Sequence, residues 1–250
     1  RLRRSSSVST VVVLAGGSPH AHDFDAIRDA LVDVVGAAGH DVRAVAAPDD
    51  VVAELATADA VVVDGLWWQM LGEAYDAWRD DHAYSPPAAT REALTSFVAG
   101  GGGLVALHTA AICFDDWPEW GDVVGGSWRW GHSSHPPYGP VRADVVADRA
   151  THPVVAGLPA TIQLDDEVYG DLDLRDGIDV LATARRTPDD ADQPVVWTHR
   201  FGAGRVVYDC FGHDGASIRH HDNARLVTQG LTWVLGGDGA AEPGSGSGDA

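Results

Sequence analysis

The sequence contains no lysine, because all 17 basic residues among its 250 are arginine. A catalytic site in this chain therefore cannot form a lysine Schiff base, anchor pyridoxal phosphate or use the lysine of a phosphate-binding loop. Cysteine is also scarce. The only two, Cys113 and Cys210, lie far apart and outside any C-x-x-C spacing. This pattern excludes a disulfide scaffold and a thiolate zinc site.

Positive charge is in short supply relative to negative charge. The 17 basic residues face 37 acidic ones, of which 31 are Asp and 6 are Glu, for a formal net charge of −20. Nucleic acids and anionic membranes bind clustered Lys and Arg, so the composition argues against both partners. A high genomic GC content explains the use of Arg in place of Lys, but it does not explain the excess of Asp over Glu. Adaptation to a high-salt cytoplasm is a second explanation of the acidic composition.

Long hydrophobic runs are absent too. No apolar stretch approaches the 18 residues that a membrane span needs. Near the N-terminus, an apolar run at residues 11–14 leads straight into two glycines and is too short for a signal peptide. We therefore expect a soluble, cytoplasmic protein.

Short β-branched runs alternate with helical patterns in the first half of the chain. This alternation is typical of βαβ units and a parallel sheet, and it predicts strands at Thr10–Ala15, Asp41–Ala46, Ala60–Val63 and Leu104–Leu107. The second half is less regular and predicts further strands, several of them antiparallel. We expect a single α/β domain over residues 8–236 and a flexible Gly/Ser-rich tail at 237–250.

Candidate functional residues follow several of the predicted strands. Ligands bind at the carboxyl ends of strands in open α/β sheets, so polar side chains at these positions are expected to share one site. They include His22 after the first strand, His108 after the fourth, His132 in a later loop and His213 after the last strand. Imidazoles and carboxylates are ligands for Zn²⁺ and similar ions, and the nearby aromatic residues suit sugar rings.

Each candidate also has a purely structural interpretation. His108 follows an apolar strand, as a buried core histidine would. The pair His213-Asp214 has the form of a turn held by a hydrogen bond. His132 lies in a Gly/Ser/Pro-rich stretch typical of exposed loops, and the acidic run 165–167 is typical of a solvated surface.

Several short segments resemble one protein family, in the family's order. They are Leu104–Ala110, Gly125–Trp128, His152–Gly157, Asp166–Tyr169, Trp197–Val206 and Gly212–Asp214. The set resembles the trehalose-utilisation (ThuA-like) proteins, a branch of the class I glutamine amidotransferase-like superfamily with a flavodoxin-like fold. The resemblance implies a central, mostly parallel sheet with added antiparallel strands, and a role in disaccharide or glycoside catabolism that passes through keto-sugars.

The position of the catalytic nucleophile in the amidotransferase relatives is changed in this chain. In those relatives a nucleophilic Cys follows the corresponding strand, whereas this sequence has His108 there and Cys113 five residues later. No Gly-x-Ser-x-Gly motif replaces it. Thioester chemistry is therefore disfavoured, and a cysteine hydrolase using Cys113 is the weakest of the remaining interpretations.

We expect an enzyme of carbohydrate metabolism that acts on a disaccharide or 3-keto-glycoside as a metal-assisted hydrolase, lyase or isomerase. The predicted catalytic residues are His108, Glu167, His213 and Asp214. The predicted sugar-binding residues are His22, Trp67, Trp128, Asp166 and Tyr169. A divalent ion such as Zn²⁺ is expected on His108, His132 and His213.

A second function fits the same residues, namely a non-catalytic sugar-binding or regulatory module that kept the pocket and lost the chemistry. Stoichiometric metal in the purified protein would favour the enzyme over this module. The sequence contains nine Trp residues, and Trp exposed in the insertions would be compatible with a homo-oligomer.

Overall fold

A computed structural model of the protein describes residues 8–236; the predicted tail at 237–250 lies outside the described residues. The strands of the described part are β1 Thr10–Gly17, β2 Asp41–Val45, β3 Ala60–Leu66, β4 Gly103–Leu107, β5 Gly126–Ser127, β6 Gly139–Val145, β7 Thr161–Asp166, β8 Asp173–Leu174, β9 Asp179–Ala184, β10 Gln193–Phe201 and β11 Gly204–Asp209. The helices are α1 Phe24–Ala37, α2 Pro48–Leu55, α3 Asp76–His82, α4 Ala88–Ala99, α5 Glu119–Val124, α6 Gly215–Arg219 and α7 His221–Val234.

One nine-stranded sheet forms the centre, in the order β2-β1-β3-β4-β11-β10-β9-β6-β7. The strands from β2 to β11 in this order run parallel to one another, and those from β10 to β7 are antiparallel to their neighbours. Strands β5 and β8 form a separate two-stranded ribbon. The predicted fold, a central, mostly parallel sheet with additional antiparallel strands from the second half of the chain, is confirmed.

The central parallel strands are buried on both faces, whereas the edge strand β2 is not. Every residue of β3 and β4 is buried, and β1 is buried from Val11 to Gly16. Helices cover both faces of a sheet of this kind, so its central strands are continuous apolar runs without alternation. This is why these strands could be predicted from the sequence.

Local signals also explain the long helices. Helix α1 begins after Asp23, whose side chain accepts a hydrogen bond from the backbone N–H of Ala26 at 3.0 Å. Helices α3, α5 and α6 have only 7, 6 and 5 residues, so each is too short for a helical pattern to repeat in the sequence. Helix α3 buries none of its residues and so carries no apolar stripe that a sequence pattern could show.

The last turn of α4 lies against the hairpin between β10 and β11 at Gly204. A Cβ atom there would lie 2.2 Å from the carbonyl oxygen of Val98 and 2.8 Å from that of Gly102. We expect Gly204→Ala to lower the free energy of unfolding by about 1–3 kcal/mol through overpacking. Thermal unfolding followed by circular dichroism would measure it.

Gly36→Ala is the matched control for this substitution. A Cβ at Gly36 would meet only Val42 Cγ2, at 3.9 Å, and Ala is a better helix former than Gly. The control should unfold at the same temperature as the wild type or higher. Equal stability of the two variants would show that the backbone at Gly204 can give way.

No helix among residues 8–236 has both the length and the apolar character that crossing a membrane requires.

Candidate functional site

His108 lies directly after β4, where the chain turns into a short 3-10 helix. Its φ of +43° is unusual for a residue other than glycine. The side chain is fully buried, and its Nδ1 donates a hydrogen bond to the carbonyl oxygen of Cys210 at 2.8 Å. Because a carbonyl only accepts, this bond leaves Nε2 unprotonated. The hydroxyl of Tyr169 lies 2.9 Å from that nitrogen and donates to it.

Two further imidazoles converge on His108. Nε2 of His22 lies 3.2 Å from Nε2 of His108, and the rings of His22 and His213 have centroids 4.5 Å apart. His22 follows β1, and His213 follows β11. The three histidines therefore reach one point from the carboxyl ends of three strands of the parallel half, as expected for a ligand site in such a sheet.

Glu167 completes the cluster from the other half of the sheet. One of its oxygens, Oε2, lies 3.7 Å from Nε2 of His108 and 3.5 Å from Nδ1 of His213, while Oε1 lies 3.2 Å from Nδ1 of His135. Burial alone would raise the pKa of Glu167. Hydrogen bonds from His135 and His213 outweigh burial and lower the pKa, so the side chain is a carboxylate.

The imidazoles differ in their protonation. Burial lowers the pKa of His22 to about 2 and that of His108 to about 4, so both are neutral at pH 7. Burial also acts to lower the pKa of His213, but its interaction with Glu167 raises it overall. The hydrogen bond to Glu167 raises the pKa of His135. The site thus holds two neutral imidazoles beside two that Glu167 helps to protonate.

Asp166 lies beneath the cluster and holds its loops in place. Its Oδ2 accepts hydrogen bonds from the backbone N–H of Gly212 at 2.9 Å and of His213 at 3.4 Å, and from the hydroxyl of Ser217. Its Oδ1 accepts from the N–H of Glu167 at 2.7 Å. Burial raises the pKa of this carboxyl to about 6. Asp166 is fully buried and does not line the cavity, so it supports the site from behind rather than contacting sugar.

A cavity of about 310 Å³ opens above the cluster. Its walls include these residues singled out in the sequence: His22, Trp128, Glu167, Tyr169 and His213. Four groups could together hold a metal ion, since one ligand atom from each lies within 4.8 Å of the others: His22, His108, Glu167 and His213.

His132 does not join the cluster. Its backbone N–H bonds to the carbonyl of Arg129 in a tight turn, and its side chain is exposed. Ser134 then pairs with Gly170 through two backbone hydrogen bonds, which carries the next residue, His135, to Glu167. The loop does supply a histidine to the cluster, but it is His135, three positions after His132, that the turn brings to Glu167.

Two other predicted residues lie away from the cavity. Trp67 stacks on Phe114, with ring centroids 6.0 Å apart, and it is Trp68 that lines the cavity. Asp214 caps α6 by accepting a hydrogen bond from the N–H of Ser217 at 2.8 Å. Its position agrees with the structural interpretation of the His213-Asp214 pair.

Part of the aromatic wall was not predicted from the sequence. Tyr75, Trp78 and Trp130 line the cavity, together with His135 and Trp68. Clustering of Trp in the loops was the available signal. It did not distinguish side chains that face the cavity from those, such as Trp67, that pack beneath it.

Solved structures show the same fold. A ThuA-like protein from Parabacteroides merdae superposes with a TM-score of 0.75 at 20% identity, over 92% of this chain and 91% of that one. A ThuA-like protein from Bacteroides uniformis gives a TM-score of 0.67 at 19% identity, over 94% of each chain. A cytoplasmic protein from Salmonella typhimurium gives 0.62 at 15% identity, over 91% of this chain and 99% of that one.

The sequence matches no curated protein. It does match the family model ThuA, described as trehalose utilisation, over residues 10–234. That range includes β1 through the end of α7, together with every residue of the histidine and carboxylate cluster. The chain belongs to the ThuA, or trehalose-utilisation, family.

Proposed function

We propose that this protein is a metal-dependent enzyme of carbohydrate metabolism that acts on a sugar or keto-sugar. One observation carries the proposal, namely that three imidazoles and one carboxylate meet at the carboxyl edge of the sheet within 4.8 Å of one another. The proposed metal ligands are His22, His108, Glu167 and His213. In this set, His22 and Glu167 replace His132, which was among the metal ligands predicted from the sequence.

The spacing of the donor atoms fits a single ion. Two ligands that each lie about 2.0–2.1 Å from a tetrahedral zinc ion are about 3.3 Å apart. The distance between the Nε2 atoms of His22 and His108 is 3.2 Å, and that from His108 Nε2 to Glu167 Oε2 is 3.7 Å. Because Nδ1 of His108 donates to Cys210, Nε2 of His108 carries the lone pair that a metal ligand needs.

The protonation states also suit a metal. Ligands must be deprotonated to bind, and both His22 and His108 are neutral at pH 7 because they are buried. The hydrogen bond from His108 to the carbonyl of Cys210 fixes the orientation of the ring. Second partners of this kind are common for metal-bound histidines. One ring nitrogen of His22, Nδ1, is buried without a hydrogen-bond partner.

The bound ion would act as a Lewis acid on a sugar carbonyl or lower the pKa of a water molecule. The chain itself supplies groups that can move protons. His135 lines the cavity, has a raised pKa and lies 3.2 Å from Glu167, so it can carry a proton between this carboxylate and the sugar. Proton transfer next to a carbonyl would support elimination or epimerisation of a keto-glycoside.

A sugar is the substrate class that the remaining features favour. The family is described by trehalose utilisation. The cavity walls combine Trp and Tyr rings with histidines. The faces of the aromatic rings offer an apolar surface on which a sugar ring can lie, and the histidines can bond to its hydroxyl groups. A small-molecule sugar is thus the proposed partner, while the cytoplasmic location and the homo-oligomer stay predictions.

A non-catalytic sugar-binding module is the second candidate. It is favoured by the hydroxyl of Tyr169, which donates to Nε2 of His108 at 2.9 Å and so uses the lone pair that a metal would need. The cysteine hydrolase has less support. Burial raises the pKa of Cys113 well above its ordinary value, and the thiol does not line the cavity.

Metal removal distinguishes the two candidates. We expect the protein, purified and equilibrated with Zn²⁺ or Mn²⁺, to hold about one ion per chain by elemental analysis. Dialysis against a chelator should remove the ion and the turnover of a 3-keto-disaccharide together, and adding the ion back should restore both. Tight binding of an intact disaccharide without metal or turnover would instead establish the module.

A further inference from the structure

The cavity has two chemically different ends. At one end lie His22, Glu167 and His213 of the proposed metal cluster, together with His135. The other end, which we call the aromatic arm, is lined by Trp68, Met70, Tyr75, Trp78, Trp128 and Trp130. The arm begins at the cluster itself, since the rings of Trp128 and Tyr169 meet edge to face with centroids 5.3 Å apart.

Four rings of the arm form a continuous row. Trp128 contacts Trp130 at 6.2 Å between centroids, Trp130 contacts Tyr75 at 6.5 Å, and Tyr75 contacts Trp68 at 5.6 Å. Contacts of this kind hold aromatic side chains in fixed orientations at little cost in conformational entropy. The arm is therefore a preformed surface that does not have to be assembled around a ligand.

One member of the row is exposed. Trp130 keeps 48% of its surface accessible although it lines the cavity. Large apolar side chains left open beside a cavity mark a place where a ligand or partner binds. A planar group lying along Trp130 would cover this surface.

The polar groups of the arm are too few for a second sugar ring. Each buried hydroxyl of a sugar needs a hydrogen-bond partner, and leaving one unpaired is costly. Among the described residues, no Arg, Asn, Gln or Asp lines the cavity, and Glu167 is its one carboxylate. Apart from the cluster, His135, the tyrosines and the indoles, the polar side chains of the wall are those of Ser18 and His20, and His20 stacks on Trp78 with ring centroids 4.5 Å apart. The indole N–H groups of Trp68 and Trp128 are buried without a partner, and they can only donate.

In the part of the chain that the structure describes, no Arg lines the cavity, and the two imidazoles that Glu167 helps to protonate, His135 and His213, lie at the cluster end. This arrangement argues against a phosphorylated sugar in the aromatic arm. An uncharged, flat and mostly apolar group fits best. A glycosidic or ether oxygen on that group would accept from an indole N–H.

We infer that the substrate is a glycoside with an aromatic aglycone, whose sugar ring lies at the metal cluster and whose aryl group lies in the aromatic arm. This inference rests on the proposed function for the role of the cluster. It narrows the substrate class from glycosides in general, disaccharides included, to aryl glycosides.

Calorimetric titration of the zinc-equilibrated protein with phenyl glucoside, methyl glucoside and trehalose tests it, with both anomers of the first two. We expect phenyl glucoside to bind at least about tenfold more tightly than the other two, because only it fills the arm. In Trp130→Ala the ratio of the methyl to the phenyl dissociation constant should fall towards one. Leu71→Ala is the control, since Leu71 is exposed but outside the cavity, and it should keep the ratio.

Equal affinities, tighter binding of trehalose, no binding of any of the three, or an unchanged ratio in a folded Trp130→Ala variant would overturn the inference. The proposed function fails separately. If phenyl glucoside binds with the expected preference but the protein holds no metal and turns over no keto-glycoside, the aglycone-binding role of the aromatic arm is supported and the proposed enzymatic function is wrong. If the protein instead turns over phenyl and methyl keto-glycosides in a metal-dependent reaction and binds both with equal affinity, the proposed function is supported and the inference about the aromatic arm is wrong.

Discussion

Replacing His108 by alanine is expected to lower the turnover of a 3-keto-glycoside by about 10³-fold or more and to remove most of the bound metal. Loss of a central catalytic group commonly costs this much. His108 is the point at which the cluster meets, with Nε2 3.2 Å from His22 and 3.7 Å from Glu167. Steady-state kinetics and elemental analysis of the same preparation would measure both effects.

The control for this substitution is His132→Ala. His132 is an exposed histidine outside the cluster, and its loss should leave both turnover and metal content within about twofold of the wild type. Glu167→Gln is a second test of the cluster in case the His108→Ala variant does not fold, because it keeps the shape of the Glu167 side chain and removes its charge. A His108→Ala protein that retains turnover would exclude the proposed centre.

Replacing Asp166 by alanine is expected to have the largest effect on stability. The substitution removes the acceptor for the N–H groups of Gly212 and Glu167 and for the hydroxyl of Ser217. Each buried donor left unpaired costs about 1–3 kcal/mol. We expect the free energy of unfolding to fall by about 3 kcal/mol or more, and chemical denaturation would measure the loss.

A fall of this size corresponds to a midpoint of thermal unfolding that is about 6–12 °C lower. The matched control is Asp165→Ala, which removes a neighbouring carboxylate that is exposed and should change stability by no more than about 0.5 kcal/mol. Metal content separates support of the site from general stability. Asp166→Asn, which keeps one acceptor oxygen, should bind more metal than Asp166→Ala does. Equal metal binding by the wild type, Asp166→Asn and Asp166→Ala would show that Asp166 does not hold His213 in place.

The parallel half of the fold could be predicted because its information is local. Strands such as β3 and β4 are buried on both faces, which makes β4 and the segment 60–63 of β3 apolar runs, and α1 begins at a side-chain cap. The carboxyl-edge rule then placed His22 and His108 correctly beside each other, as it did His213, since all three follow strands of this half.

Other assignments depended on the conformation of single loops. Trp67 and Trp68 are adjacent and of the same type, and which of them faces the cavity is decided by the packing of Trp67 on Phe114. Likewise, a turn at Arg129 directs His132 to solvent, while the pairing of Ser134 with Gly170 brings His135 to Glu167. No periodicity distinguishes these alternatives.

Glu167 depended on the tertiary structure in a further way. It follows β7, which lies at the far edge of the sheet, four positions from β11. Its segment returns over the end of β11, where the N–H of Tyr169 bonds to Sγ of Cys210 at 3.3 Å and Asp166 accepts from Gly212. The order of strands alone would have placed Glu167 away from the histidines.

The sequence by itself determined which chemistry is open to this protein. Because the chain has no lysine and only two isolated cysteines, histidine and carboxylate side chains are its main candidates for catalytic groups. Only the tertiary structure decided which histidines and which carboxylate meet, and that aromatic rings extend from them in a row. The physical reason is that the sequence lists which side chains are available, whereas their meeting at one point depends on tertiary contacts. These contacts are the return of the Glu167 segment over β11 and the loop turns held by hydrogen bonds between residues distant in sequence.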